Sequence, residues 1–177
     1  MNNDIKIIIT GIDNDKIRTL ANEIVNNDNT LTIAPTFTTN NDETSWRYLI
    51  DTNTANLSYK NNSVFFIYTA NYISTGVLLE DYYNNNIFIT SVEEFNNISD
   101  MFFRNDNTLI IWLDSSTLNY ENMSNEYKYK LKYLNERLNV NKYMYFINEP
   151  IQMIAKTIIK YIYASDEEKI LLLNENN

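Results

Sequence analysis

The sequence predicts an α/β fold of three layers, in which a mostly parallel β-sheet is flanked by helices. Short apolar runs recur along the chain, and stretches with helical periodicity separate them. The runs are apolar at consecutive positions, which is typical of parallel strands covered on both faces. We predict strands at residues 5–10, 31–33, 64–69, 87–90, 109–113 and 143–147. Helices predicted at residues 15–25, 92–103, 124–138 and 150–163 provide the crossovers that parallel strands need.

Each element follows from a local pattern. The strand runs are rich in β-branched and aromatic residues, and the first run leads directly into Gly11. Helix 15–25 has an apolar stripe at helical spacing, formed by Ile17, Leu20, Ala21 and Ile24. Helix 124–138 has the stripe Tyr127, Leu131, Leu134 and Leu138. Helix 150–163 opens on Pro150, as helices often do, and has the stripe Ile151, Ile154, Ala155, Ile158 and Ile162.

The length of 177 residues fits one domain. We predict a single α/β domain over residues 1–165. Residues 36–62 are polar and poorly periodic, so we expect an inserted arm there, with short strands or helices. Residues 166–177 are predicted to be an acidic C-terminal tail.

The composition excludes several kinds of chemistry. The chain has no Cys and no His, which removes disulfides, thiolate nucleophiles, imidazole bases and most zinc sites. A net charge of −9 opposes direct nucleic-acid binding, because that binding depends on Lys and Arg that neutralise phosphates. No apolar run approaches the roughly 20 residues of a membrane span, and no secretory signal is visible. We therefore expect an intracellular protein whose partner is another protein or a second copy of the chain.

Residues 5–26 have the layout of a phosphate-binding strand, loop and helix. A working P-loop has the pattern G-x-x-x-x-G-K-[ST], whose backbone N–H groups, Lys and hydroxyl hold the phosphates and Mg²⁺. In an ungapped alignment Gly11 is the first Gly, but Lys16 replaces the second Gly, Ile17 the Lys and Arg18 the hydroxyl residue. Asp13 also lies in this loop, and a carboxylate about 4 Å from a phosphate repels it by roughly 4 kcal/mol at an intermediate dielectric.

Two interpretations of this loop remain open. Lys16 or Arg18 could replace the missing Lys from a neighbouring position, with Gly11 and Thr19 completing a phosphate site. Alternatively, the loop is an ordinary turn between strand and helix, with Asp13 or Asn14 capping the helix.

Two segments carry a family resemblance. Thr10, Gly11, Thr19, Leu20 and Ala21 resemble the T-G-x-x-x-x-G-K-[DS]-T-[LV]-A pattern of P-loop nucleoside monophosphate kinases, particularly the bacteriophage deoxynucleoside monophosphate kinases. Residues 87–97 resemble the segment [VI]-I-x-D-V-R-F-x-N-E of the phage group, with Ser91 in place of the Asp and Glu93 in place of the Arg. The resemblance implies a P-loop kinase-like fold, with ATP and Mg²⁺ as the cofactors of an active member.

Other segments are similar to the broader guanylate-kinase-like layout. Residues 34–39 resemble the start of its nucleotide-monophosphate arm, residues 72–86 the helix before its third core strand, and residues 146–148 its closing strand. In that family, arginines of a lid clamp the transferred phosphoryl group. The corresponding residues 114–126 contain no Arg or Lys, although phosphoryl transfer depends on such cations.

Three further features could carry chemistry. Arg47 lies between Trp46 and Tyr48 where the resemblance puts the monophosphate-binding arm, so it could hold a phosphate or stack on a base; otherwise it is a surface Arg. Asp114 ends a predicted strand, where a Walker-B-like carboxylate would lie, or it caps the following turn. Glu93 and Glu94 suit the first turn of a helix.

These observations lead to one preferred function and two alternatives. The preferred interpretation is a catalytically degenerate nucleotide-kinase-fold protein, retained as a binding or structural component, without catalytic residues, metal ligands or cofactor. Its residue usage suggests a bacteriophage or another virus, and hence the host cytoplasm or the virion. The first alternative is an active kinase that transfers phosphate from ATP to a deoxynucleoside monophosphate. The second is a receiver-like or flavodoxin-like fold in which Asp13, Asp15 and Ser91 form an acidic pocket.

Overall fold

The computed structural model describes residues 5–40, 47–98, 100–103, 107–114 and 142–176, together with residues 128, 131–133 and 136. Its strands are β1 (Lys6–Gly11), β2 (Thr36–Thr38), β3 (Arg47–Leu49), β4 (Val64–Ala70), β5 (Ile73–Leu78), β6 (Ile87–Ile89), β7 (Thr108–Asp114) and β8 (Tyr143–Ile147). Its helices are α1 (Asn14–Asn27), α2 (Thr52–Lys60), α3 (Leu79–Asn84), α4 (Val92–Phe95), α5 (Asp100–Phe103), α6 (Ile151–Tyr163) and α7 (Asp166–Glu175). None of the helices in these described ranges is long and apolar enough to cross a lipid bilayer.

Among the described residues, the core sheet has four parallel strands in the order β6-β1-β7-β8. β1 lies in the middle, where Ile7 is in register with Ile87 on one side and with Leu109 on the other. A strand was predicted at residues 31–33. Only Ile33 pairs there, through a single parallel bridge to Ile87 of β6. All residues of β1 and β7 are buried, as expected for central parallel strands.

Helices cover both faces of the core sheet. On one face, Ile7 and Ile9 pack in one apolar cluster with buried residues of α1, α6 and α7. On the other face, Ile8 and Ile110 pack with residues of α3, α4 and α5 and with Leu131. The molecule therefore has the three layers that the sequence predicts, with alternate residues of each strand facing opposite helix layers.

A second sheet forms the arm, which comprises β2 to β5 and α2. Its strand order is β3-β2-β5-β4, with β2 and β3 parallel and the other pairs antiparallel. The arm packs on the core through Phe65 of β4, whose ring lies 4.4 Å from that of Tyr82 in α3 and 5.1 Å from that of Phe88 in β6. The arm thus reaches residue 78, beyond the predicted limit of about residue 62.

Two assignments in this region were wrong. The run at residues 64–69 belongs to the arm sheet instead of the core sheet, and residues 72–86, expected to be helical, contain β5 before the short helix α3. β4 and β5 form a hairpin whose two turn residues, Asn71 and Tyr72, both have positive φ angles (50° and 66°). That conformation matches the twist of paired strands, so a hairpin forms where the family resemblance implied a helix.

The predicted helix at residues 92–103 is divided into α4 and α5. α4 ends in a turn with two short-range hydrogen bonds. Asn97 N–H donates to the carbonyl oxygen of Glu94 at 3.0 Å, and Ile98 N–H donates to that of Phe95 at 3.1 Å. Asn is a poor helix former, and the pair Asn96 and Asn97 favours this turn. Of the helix predicted at residues 124–138, residues 128, 131–133 and 136 are helical, and the others lie outside the described residues.

The segment predicted to be an acidic tail contains α7. Ser165 and Glu168 form a reciprocal capping box at the start of this helix. Leu172 is buried in the core cluster, and the carbonyl oxygen of Asn176 accepts a hydrogen bond from Tyr145 N–H of the edge strand β8 at 2.7 Å. Three of its acidic residues, Asp166, Glu167 and Glu168, lie in the first turn of this helix, where negative charge is favoured.

We expect the substitution Leu172→Ala to reduce the free energy of unfolding by about 2 to 4 kcal/mol, because it leaves a cavity in the core. The matched control is Leu171→Ala, whose side chain is 60% exposed and should contribute within about 0.5 kcal/mol. Urea denaturation of both variants measures the difference. Equal, small losses would mean that residues 166–177 behave as a tail.

Candidate functional site

The carboxyl ends of β1, β6 and β7 meet at one edge of the core sheet, where open α/β sheets place ligand groups. α1 begins at this edge after β1, and α4 begins there after β6. Three polar residues, Thr10, Thr90 and Asp114, lie at or just beyond the strand ends, and all three are buried. This edge is the candidate functional site.

The turn between β1 and α1 is shorter than a P-loop. β1 ends at Gly11 and α1 begins three residues later, whereas a P-loop needs several more residues. Asp13 caps the helix, and its Oδ1 atom accepts hydrogen bonds from the backbone N–H groups of Asp15 and Lys16, both at 3.0 Å. Such N–H groups are the donors that a helix N-terminus offers to a phosphate. The chain itself therefore supplies the anion at this helix end.

The reason for a glycine at position 11 is close packing of strands. A Cβ atom on Gly11 would lie 2.2 Å from the carbonyl oxygen of Leu113 in β7, far inside van der Waals contact. Any larger residue would push β1 and β7 apart where they are in register. The packing of the sheet accounts for this glycine without a bound phosphate.

The other residues predicted to bind phosphate lie in the first turns of α1. Thr19 Oγ1 donates to the carbonyl oxygen of Asp15 at 2.8 Å, and the guanidinium of Arg18 lies 3.7 Å from the Asp15 carboxylate. Ile17, which aligns with the P-loop Lys, is fully buried in the core. Lys16 precedes Ile17 on the helix and is half-buried. Phosphate binding by these residues stays a prediction.

Arg47, the candidate of the monophosphate arm, forms an ion pair with a buried carboxylate of the chain. The Arg47 guanidinium lies 3.2 Å from Oε1 of Glu94, and these side chains are only 20% and 5% exposed. Thr75 Oγ1 donates to the same oxygen at 2.8 Å. Oε2 of Glu94 accepts from Ser91 N–H at 2.8 Å, and Glu94 N–H donates to Ser91 Oγ at 3.2 Å, which completes a capping box for α4. The Glu94 carboxylate thus has three donors from three segments.

A second polar contact links the arm to α3. The hydroxyl of Tyr48 in β3 donates to the Asp81 carboxylate at 3.2 Å. Burial raises the pKa of Asp81, partly offset by this hydrogen bond, and the charge of Glu80 raises it further. Burial also raises the pKa of Tyr48, and the negative charge of Asp81 adds to the increase. Tyr48 therefore remains a neutral donor at physiological pH.

Asp114 has a partner that the sequence did not reveal. Its Oδ2 atom accepts a hydrogen bond from the Tyr145 hydroxyl of β8 at 2.6 Å. The turn that Asp114 was predicted to cap lies outside the described residues. The hydroxyls of Thr10 and Thr90 are fully buried, and neither has a hydrogen-bond partner within the part of the chain that the structure describes.

The remaining candidate features lie apart from this edge. Among residues of the described ranges, no cluster of three acidic side chains could hold a metal ion. A cavity of about 1030 Å³ lies against the outer strand of the arm sheet, between α2, β4 and α3. Its aromatic lining residues are Tyr59, Phe65, Phe66, Tyr68, Tyr83 and Phe102. The candidate phosphate-binding residues are not part of its wall.

Comparison with known proteins identifies the fold. No protein-family model matches the chain, and no curated protein matches it in sequence. The crystal structure of guanylate kinase from Anaplasma phagocytophilum is similar, with a TM-score of 0.57 over 89% of this chain and 84% of that one, at 13% sequence identity. This chain has a guanylate-kinase-like fold. The predicted kinase-like α/β architecture is therefore confirmed, whereas the link to bacteriophage kinases and the loss of activity stay predictions.

We expect Asp13→Ala to lower the free energy of unfolding by about 1 kcal/mol, because two N–H groups at the start of α1 lose their acceptor. Asp13→Asn should lose little, since Asn is an equally good cap. Asn14→Ala is the control at the adjacent exposed residue, with an expected change within about 0.5 kcal/mol. Denaturant titration of the three variants tests this order. A loss as small for Asp13→Ala as for Asn14→Ala would contradict the capping role.

Proposed function

We propose that this protein is a nucleotide-kinase-fold protein that does not catalyse phosphoryl transfer and is retained as a binding or structural component. The observation that carries the proposal is the Asp13 carboxylate, which accepts the N–H groups of Asp15 and Lys16 at the start of α1. A phosphate at that position would have to displace this carboxylate and would meet its negative charge. The guanylate-kinase-like fold supports the assignment of the scaffold.

Two more features support the loss of catalysis. Arg47 is already paired with the buried Glu94 carboxylate, so its charge is not simply available to a substrate phosphate. Residues 114–126 contain no Arg or Lys in sequence, so the chain has no cation there to stabilise a transferred phosphoryl group. These features belong to three different segments of the chain, and each of them weakens the binding of a phosphate group.

The chemistry of the surface supports a protein as the partner, either another chain or a second copy. Large side chains such as Leu57, Tyr59 and Tyr83 are more than half exposed, and two of them, Tyr59 and Tyr83, line the cavity beside β4. Tyr is enriched in protein interfaces, and a net charge of −9 opposes nucleic acid. A viral origin, with a location in the host cytoplasm or the virion, is proposed from residue usage alone.

We expect isothermal titration calorimetry to detect no micromolar binding of ATP with Mg²⁺, or of deoxynucleoside monophosphates, to the full chain. The physical reason is that the donors at α1 and Arg47 are already engaged by carboxylates. An active guanylate kinase, titrated in the same buffers, serves as the positive control.

The alternative function is transfer of phosphate from ATP to a deoxynucleoside monophosphate, which the fold likeness favours. A coupled assay of ADP release separates the two functions. Activity above background that the double substitution Lys16→Ala and Arg18→Ala abolishes, together with Mg²⁺-dependent ATP binding, would overturn the proposal. Background rates that are equal for the wild type and the double variant are the expected result.

A further inference from the structure

The Glu94 carboxylate lies between the two sheets of the molecule. On the core side it is fixed by α4, which follows β6, and by the N–H group of Ser91 at 2.8 Å. On the arm side it accepts from Arg47 of β3 at 3.2 Å and from Thr75 Oγ1 of β5 at 2.8 Å. Glu94 is 4% exposed, so these bonds form away from solvent. A single carboxylate therefore binds the arm and the core at once.

This contact differs from an ordinary surface ion pair. Exposed pairs contribute little, because water and salt screen the charges. Here the three donors converge on the buried Glu94 carboxylate. Its removal would deprive the largely buried guanidinium of Arg47 and the buried hydroxyl of Thr75 of this acceptor. Another connection between the arm and the core is apolar. The ring of Phe65 in β4 stacks on that of Tyr82 in α3, with ring centroids 4.4 Å apart. Within the described residues, aromatic packing, the Glu94 ion pair and the hydrogen bond from Tyr48 to Asp81 all connect the arm to the rest of the molecule.

We propose that Glu94 acts as a built-in anionic ligand that clasps the arm onto the core, so that the arm is closed without any bound molecule. The groups around its carboxylate form a site for a small carboxylate, which Glu94 fills. Substitution by Ala removes Cγ and the carboxylate, and acetate has the same two-carbon skeleton. Acetate is therefore the chemical probe for this site. The inference goes beyond the proposed function, because it concerns the arm and does not depend on whether a nucleotide binds.

Thermal unfolding of the full chain tests the clasp. We expect Glu94→Ala to lower the Tm by roughly 5 to 10 °C, as for loss of one partner of a largely buried ion pair. Sodium acetate should recover part of this loss in a saturable way, whereas sodium chloride at the same ionic strength should not. The control is Glu93→Ala, a half-buried neighbour whose carboxylate makes none of the three contacts, and acetate should not affect it. In the double variant Arg47→Ala and Glu94→Ala, the acetate effect should disappear.

Hydrogen exchange distinguishes a clasp from a general loss of stability. In Glu94→Ala, the amides of β3 and β5 should exchange faster, whereas those of β1 and β7 should keep their wild-type protection, and acetate should restore the slow exchange. Uniformly faster exchange in both sheets, or a Tm recovery that chloride reproduces, would overturn the proposal. If Glu94→Ala does not fold, Thr75→Val removes one arm donor and leaves the ion pair. Thr75→Val should then give a smaller increase in amide exchange that is confined to the arm. If no such increase occurs, the clasp is overturned as well.

Discussion

The position of the arm relative to the core depends on where the Glu94 carboxylate finds its donors. Two of the three donors belong to the arm sheet and one to the segment after β6, so neither sheet alone can satisfy this buried charge. A buried carboxylate without such partners would carry a large desolvation cost. The ion pair with Arg47 and the bond from Thr75 therefore require the arm to lie over the start of α4.

A carboxylate of the chain also accepts hydrogen bonds at the start of α1, the other place where the sequence predicts a phosphate site. At the start of α1, the Asp13 carboxylate accepts the N–H groups that a P-loop presents to phosphate. The two N–H groups at α1 are exposed, so Asp13 takes the place of water as their acceptor, whereas the ion pair of Glu94 is largely buried and its donors need this carboxylate. A kinase scaffold that does not bind a phosphate can satisfy these donors with Asp and Glu of its own chain. Such carboxylates satisfy the local donors, and their negative charge repels a phosphate.

The sequence predicted the core well because its signals are local. Consecutive apolar residues identified β1, β7 and β8, and the stripe of Ile17, Leu20 and Ile24 identified α1. The arm sheet was mostly missed, because short strands such as β2 and β3 are three residues long and are defined by their partners. The sequence indicated that Glu93 and Glu94 suit the first turn of a helix, and they lie there in α4. Nothing local could reveal that Arg47, 47 positions earlier in the chain, binds the Glu94 carboxylate. For the same reason, the bond between Tyr145 and Asp114 could be seen only in the structure.

We make the proposal that carboxylates of the chain occupy the positions where a kinase would hold phosphate. Its most direct test is nuclear magnetic resonance of the backbone amides of Asp15 and Lys16 during titration with inorganic phosphate and then with ATP and Mg²⁺. Both amide resonances should stay at their original shifts, because Asp13 Oδ1 already accepts hydrogen bonds from these N–H groups at 3.0 Å. A saturable shift of both resonances in the wild-type protein would contradict it, since phosphate would then have replaced the carboxylate.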